Sequence, residues 1–255
     1  MSAHASDAEA QTHRAHFSAI LAVYLLGLTI GGLYVGMVSP VRTVVQLGFG
    51  VDDSTGIWMI NIYTLFYAAL IPIIGKLADR HGRKLVFTVC VAIFAVGSLI
   101  CGLSEHFGGF GILLTGRVVQ AAGAGGMIPV ANAEMGTSFP PEKRGMALGM
   151  AAGIVGVANV LGAACGSAII GLVGTDNWAV MFYLAIPFCL LVIIGAIAFL
   201  PTSTVETEGR MDLFGSIFFA LFVLMLLLGL KAIDFFDFGA TIVQPGAWVP
   251  LVCAV

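Results

Sequence analysis

Seven long apolar runs constrain this chain more than any other feature. They cover residues 17–39, 56–75, 85–103, 110–132, 146–173, 179–200 and 213–230, and an eighth begins near Trp248 and stops at Val255. A helix needs about 20 apolar residues to cross the hydrocarbon core of a bilayer. Lipid offers backbone N–H and C=O groups no partner, so helices are the expected spanning element. Composition agrees: 59% of the 255 residues are hydrophobic and only 10% are charged, against about 25% charged in a soluble domain. A chain this apolar cannot cover a water-facing surface, which excludes a soluble enzyme and a disordered chain. A net charge of −3 leaves no basic footprint for nucleic acid. The expected fold class is all-α, a polytopic membrane helix bundle.

Loop charge orients the bundle. Arg14, Lys76, Arg80, Arg83, Lys84, Lys143, Arg144 and Arg210 fall on one side, and Arg42 and Lys231 on the other. Basic loops stay in the cytoplasm, so the N-terminus is expected there. Residues 1–16 read as a cytoplasmic tail, since they lack the pattern of a cleaved signal peptide. Residues 17–200 hold six spans. The polar stretch 201–210 (PTSTVETEGR) reads as a cytoplasmic linker, and residues 211–255 as a further span and the start of the next. An apolar run that stops after eight residues points to a fragment or a truncated gene.

The most specific motif is Gly75-Lys76-Leu77-Ala78-Asp79-Arg80-His81-Gly82-Arg83-Lys84, between the second and third runs. Its two glycines permit a tight turn. Asp79 can accept from a helix N-terminus or an arginine. A second motif, Gly116-Arg117-Val118-Val119-Gln120-Ala121-Ala122-Gly123-Ala124, lies in the fourth run. Arg117, Gln120 and Ala124 share a helical face. An arginine at mid-membrane costs about 2.5–3.5 kcal/mol on insertion scales, so it should face protein or water. Two readings stand for it: a donor to backbone carbonyls of neighbouring spans, or a group that tunes a proton site or meets an anion. Spans one to seven, as bounded above, contain no deep acidic partner.

These two motifs resemble the signature loop and the fourth-span motif of the major facilitator superfamily. Trp58-Met59-Ile60-Asn61-Ile62-Tyr63, Phe139-Pro140-Pro141-Glu142-Lys143-Arg144-Gly145, Asn177-Trp178 and Pro187 extend the resemblance over roughly residues 17 to 230. The single short linker before a seventh span is similar to the fourteen-helix drug:proton antiporters of that superfamily. The resemblance implies a half-bundle of two three-helix repeats, and a conformational latch at Gly75, Asp79, Arg80, Gly82, Arg83 and Lys84. It also implies a midplane site closed by a second half of the transporter. Two features depart from it. The fifth-span antiporter pattern lacks its Gly-Pro pair, and Gly31 stands nine positions before Pro40, where an acidic residue is usual.

Small residues Gly149, Gly153, Gly156, Gly162 and Gly166 read as one packing side of the fifth span. Asn61, Thr64, Gln120 and Asn159 are the candidate cavity residues. The five cysteines lie within or beside apolar runs with no CxxC pair, and read as buried small hydrophobes. The five histidines read as tail or loop residues, so no metal or other cofactor is expected. The functional expectation is a secondary transporter, moving a small amphipathic or hydrophobic substrate with protons as the coupling ion. The alternative is a non-transporting membrane paralogue acting as a sensor or assembly factor.

Overall fold

The computed structural model describes residues 2–137, 139–202, 213–231 and 244–254, with side chains from Phe17 onward except at 213, 214, 247 and 254. The expected linker lies almost wholly outside the described residues. Within them the chain is helical, with no strand: α1 (Ser2–Gly48), α2 (Asp53–Gly56), α3 (Trp58–His81), α4 (Arg83–Phe107), α5 (Phe110–Thr137), α6 (Pro141–Val173), α7 (Val180–Tyr183), α8 (Ala185–Phe199), α9 (Leu213–Lys231) and α10 (Pro245–Ala254). Among the described residues, six spans are long and apolar enough to cross a membrane: Phe17–Gly48, Asp53–His81, Arg83–Phe107, Phe110–Thr137, Pro141–Val173 and Val180–Phe199. α9 is the shorter seventh.

The spans exceed the apolar runs because helices continue into polar flanks. The 1–16 stretch is helical from Ser2 and continuous with the first span. Pro40 sits inside α1, which runs on to Gly48. A proline removes one backbone bond, and the helical turns on either side carry the helix past it. α5 continues to Thr137, one turn beyond its apolar run, and brings Glu134 into the bundle. The sixth span is broken at Leu184. Pro187 cannot donate to the carbonyl of Tyr183, so the break falls where that bond would form.

The packing has an internal symmetry. In span order, the first packs on the fifth (α1 on α6) and the second on the fourth (α3 on α5). The third meets the sixth (α4 with α8), the third meets the fourth (α4 with α5), and the first meets the sixth (α1 with α8). Exchanging spans one to three for four to six turns each of these pairings into one of the same set, the third–sixth pair into itself. That is the pattern of two three-helix repeats.

Close backbone approach holds the central pair. A Cβ on Gly162 would strike the backbone carbonyl of Leu33, and one on Gly166 would lie 2.6 Å from that of Met37. From α1, Gly32 and Gly36 approach the carbonyls of Val155 and Asn159 in the same way. The expected glycine stripe on the fifth span divides here. Gly149, Gly153 and Gly156 meet nothing within 4 Å among the described residues. At 3.6 residues per turn, Gly153 lies about 180° around α6 from Gly162. The face toward α1 is instead Ala151, Ala158, Gly162 and Gly166, all buried.

α9 lies antiparallel along α3. Lys76 Nζ donates to Ser216 Oγ at 3.4 Å near one end, and Lys231 Nζ donates to Asn61 Oδ1 at 2.5 Å near the other. Leu190, Leu191, Ile194 and Ile197 of α8 are exposed, as lipid-facing positions are. Cys90, Cys101 and Cys189 are buried as expected, whereas Cys165 and Cys253 are exposed on outward faces of their helices.

Candidate functional site

Two constellations carry polar chemistry. One is a cavity of about 260 Å³ between α1, α3, α5 and α6. Its wall is mostly apolar, through Leu28, Val35, Ile60, Met127 and Val155, with Tyr63, Thr64, Tyr67, Arg117 and Asn159 as the polar groups. Arg117 is buried and held on three sides. Its Nε donates to the Met59 carbonyl at 3.1 Å. Its Nη1 donates to Gln120 Oε1. Its guanidinium lies 4.1 Å from the centroid of the Tyr63 ring, a cation–π contact. Gln120 passes the chain on, with Nε2 donating to Ser98 Oγ at 2.7 Å, and Ser98 Oγ donating to the Phe94 carbonyl at 2.9 Å. One arginine thus ties the second, third and fourth spans together. The backbone-donor geometry is the one seen for Arg117.

Of the candidate cavity residues, Thr64 and Asn159 line the cavity, and Gln120 lies behind Arg117. Thr64 Oγ1 donates to Ile60 O at 3.0 Å. Asn61 stands apart, in a groove with Trp58, Leu228 and Lys231. The three-residue step from Asn61 to Thr64 turns the helix enough to put them on different neighbours. Gly31 is on the cavity wall, and a side chain there would meet nothing within 4 Å. A larger hollow, about 530 Å³, lies at the end of the bundle by Phe49, Glu105, Asp176 and Trp178. It gathers helix-end and loop residues rather than buried charge.

The second constellation is the loop between α3 and α4. Gly82 adopts φ +90° as it ends one helix and starts the next, a conformation that L side chains rarely adopt. Arg83, turned inward, pairs with Glu134 at 3.2 Å and with Asp79 at 3.6 Å, and also donates to Thr137 Oγ1. Glu134 is the buried carboxylate that the apolar-run boundary at residue 132 hid. A lone acid two residues beyond an apolar run was the signal. Lys84 Nζ donates to the carbonyls of Ile197 at 2.9 Å and Leu200 at 2.7 Å, capping α8. Arg80 is exposed, and Gly75 has open space around it. His81 and His106 sit in last helical turns rather than in loops. No group of metal-ligating side chains occurs among the described residues.

This loop gives the next prediction. Asp79 is half-exposed, so Asp79→Asn is expected to cost less than about 1 kcal/mol of stability. It is expected to slow the transport that the sequence resemblance implies for the whole protein, at unchanged membrane expression. Gly82→Leu is expected to slow transport and to destabilise the fold as well, since a side chain in that backbone conformation costs about 1–3 kcal/mol. Uptake rate beside expression level and melting temperature separates the two variants. An Asp79→Asn protein with normal transport would reduce the loop to a topological anchor.

Among the described residues, six spanning helices around a central cavity with one buried arginine define an integral, multi-pass membrane helix bundle. The chain belongs to the Major Facilitator Superfamily, whose family model matches residues 15–252. It is 31% identical over 226 residues to an uncharacterized MFS-type transporter, YfiU, of Bacillus subtilis, a match covering 89% of this chain and 43% of YfiU. It is 31% identical over 174 residues to a triacylglyceride transporter of Mycobacterium tuberculosis, covering 68% of this chain and 33% of that protein. It is 25% identical over 213 residues to the riboflavin transporter RibZ of Clostridioides difficile, covering 83% and 45%. The chain therefore spans less than half the length of these relatives. Among solved structures, a bacterial homolog of the human lysosomal transporter Spinster, inward-facing and occupied, superposes with TM-score 0.65 at 22% identity, over 93% of this chain and 59% of that one.

Proposed function

We propose that this chain forms one half of a secondary transporter that exports small amphipathic or hydrophobic compounds, multidrug substrates among them, across a bacterial plasma membrane. The observation that carries the reading is the apolar cavity between the first, second, fourth and fifth spans, with its few fixed polar groups. In this reading a second half of the whole protein closes the cavity, and rocking of the halves exposes it to each side in turn. The end bearing Lys76, Arg80, Arg83, Lys84 and Arg144 faces the cytoplasm, following the asymmetry of basic residues. The Arg83–Glu134 and Arg83–Asp79 pairs at that end supply a contact that can be made and broken between states. Protons are the proposed coupling ion by analogy with the antiporters that the sequence resembles. No carboxylate lines the cavity among the described residues, so coupling in this reading runs through groups outside it.

The test is efflux by the whole protein in a strain stripped of its own pumps, with and without a protonophore. Lower accumulation of lipophilic dyes that the protonophore abolishes is the expected result. Unchanged accumulation of every compound would favour the non-transporting alternative. Efflux indifferent to the protonophore would remove proton coupling alone.

A further inference from the structure

The hollow of about 530 Å³ by Phe49 and Trp178 has no part in the transport reading. α4 runs from the basic loop at Arg83 to the hollow at Phe107, so the two stand at opposite ends of the bundle. Glu105 and Asp176 are on its wall and no lysine or arginine is. Neither carboxylate enters an ion pair among the described residues. Trp178 supplies the opposite chemistry. It is 3% exposed, fixed by ring contacts to Phe49 at 5.3 Å and Phe182 at 6.2 Å between centroids. Its Nε1 lies against Gly48, where a Cβ would come within 3.0 Å of it, and both residues line the hollow. Among the described residues that N–H has no acceptor, yet it is not one of the sealed-off polar atoms, so the hollow reaches it. An indole N–H is a donor only, and leaving it unmet costs free energy. The rim is apolar and open. Leu47 on the wall is 70% exposed, Phe107 beside it 71%, and Leu172, one turn before Thr175 of the wall, 86%. Apolar side chains exposed together around a polar centre mark a contact with lipid.

We propose that this hollow seats the head of an ethanolamine phospholipid. A phosphate oxygen accepts from the Trp178 N–H. The primary ammonium donates to Glu105 and Asp176 and neutralises charge that no protein cation meets. The acyl chains leave over Leu47, Phe107 and Leu172 into the bilayer. A choline head carries the cation but offers the carboxylates no N–H. A glycerol head carries no cation and brings a net negative charge toward them. The site is separate from the cavity around Arg117, and the proposal does not depend on what the whole protein transports.

The test is competition among three lipids with identical dioleoyl chains and ethanolamine, choline or glycerol heads. They are added in equal amounts to the purified chain in detergent, and the lipids retained are counted by native mass spectrometry. The expected result is at least about a tenfold preference for the ethanolamine lipid, the size of one charge-assisted hydrogen bond. Glu105→Gln combined with Asp176→Asn, at the open end of the bundle, should cut that preference to about twofold or less. Trp178→Phe, which keeps a ring in place, should weaken all three lipids by about fivefold, since each carries a phosphate, and keep their ranking. No preference in the unaltered chain, or the same preference in the carboxamide pair, would overturn the proposal. Undiminished retention in a folded Trp178→Phe chain would overturn it as well, because the phosphate would then sit elsewhere. Soluble glycerophosphoethanolamine is the last arm. At equal concentration it should leave the lipid bound, and displacement would overturn a lipid as the occupant in favour of a soluble phosphoamine.

Discussion

Gly162→Leu is expected to unseat α1 from α6, while Gly153→Leu on the same helix is expected to be silent. The two sites differ only in what a side chain would meet. At Gly162 it would run into the Leu33 carbonyl, and that backbone is fixed by its own helix. The reverse approach, Gly36 of α1 on Asn159 of α6, leaves no room for the helices to slide. Overpacking a close-packed site costs about 1–3 kcal/mol, and a leucine against rigid backbone belongs at the top of that range. Against a total stability of about 5–15 kcal/mol, this should lower the melting temperature by on the order of 10 °C. The cavity between α1, α3, α5 and α6 should be lost with it. At Gly153 nothing lies within 4 Å, and leucine only adds apolar surface toward lipid or a partner. Thermal unfolding of the two purified variants, with size-exclusion profiles, is the measurement. Equal destabilisation would show that the far face of α6 is packed after all.

Arg117→Ala is expected to abolish transport with the protein still inserted. Insertion becomes easier, because a cation leaves the span. What is lost is the tie between the second, third and fourth spans: the donation to Met59 and the link through Gln120 to Ser98. Two charge-assisted bonds are worth about 1.5–3 kcal/mol each. Their loss at a site that must hold its shape predicts a fall in rate of about 100-fold or more. Arg117→Lys should retain part of the activity. One ammonium can serve either Met59 or Gln120, but it cannot match the planar fork that serves both. Efflux against pH for the three proteins checks this. A lysine form with wild-type rate and a displaced pH profile would move Arg117 from a structural tie to a coupling group.

The sequence reading and the structure meet most closely where a residue type leaves few choices. An arginine in an apolar run must face protein or water, and Arg117 faces protein. A loop with glycine, aspartate and arginine at those spacings must turn tightly and pair its charges, and Gly82, Asp79 and Arg83 do. Reading failed where the outcome depended on angle or on chain far away. The fifth-span glycine spacing reads as one stripe, although 100° per residue sends Gly153 and Gly162 to opposite sides. Glu134 lies two residues beyond the hydropathy boundary of the fourth run, where only the continued helix α5 carries it into the bundle. Lys84 reads from the sequence as a basic residue of the latch loop, and only the arrival of α8 beside α4 makes it a cap on Ile197 and Leu200. Tyr63 gave no local signal at all.

What this chain determines by itself is that it spans a membrane as helices, and which loops are basic. Both follow from transfer free energies that act residue by residue and need no tertiary partner. The tertiary structure alone decides which helices meet. It brings Gly32 and Gly36 against Gly162 and Gly166, places Arg117 under the Tyr63 ring, and leaves the phenol without a partner on a cavity wall. Hydrocarbon does not distinguish one face of an apolar helix from another. Close packing, hydrogen bonds and the fit of backbone to backbone do, and those exist only once the distant segments are in contact.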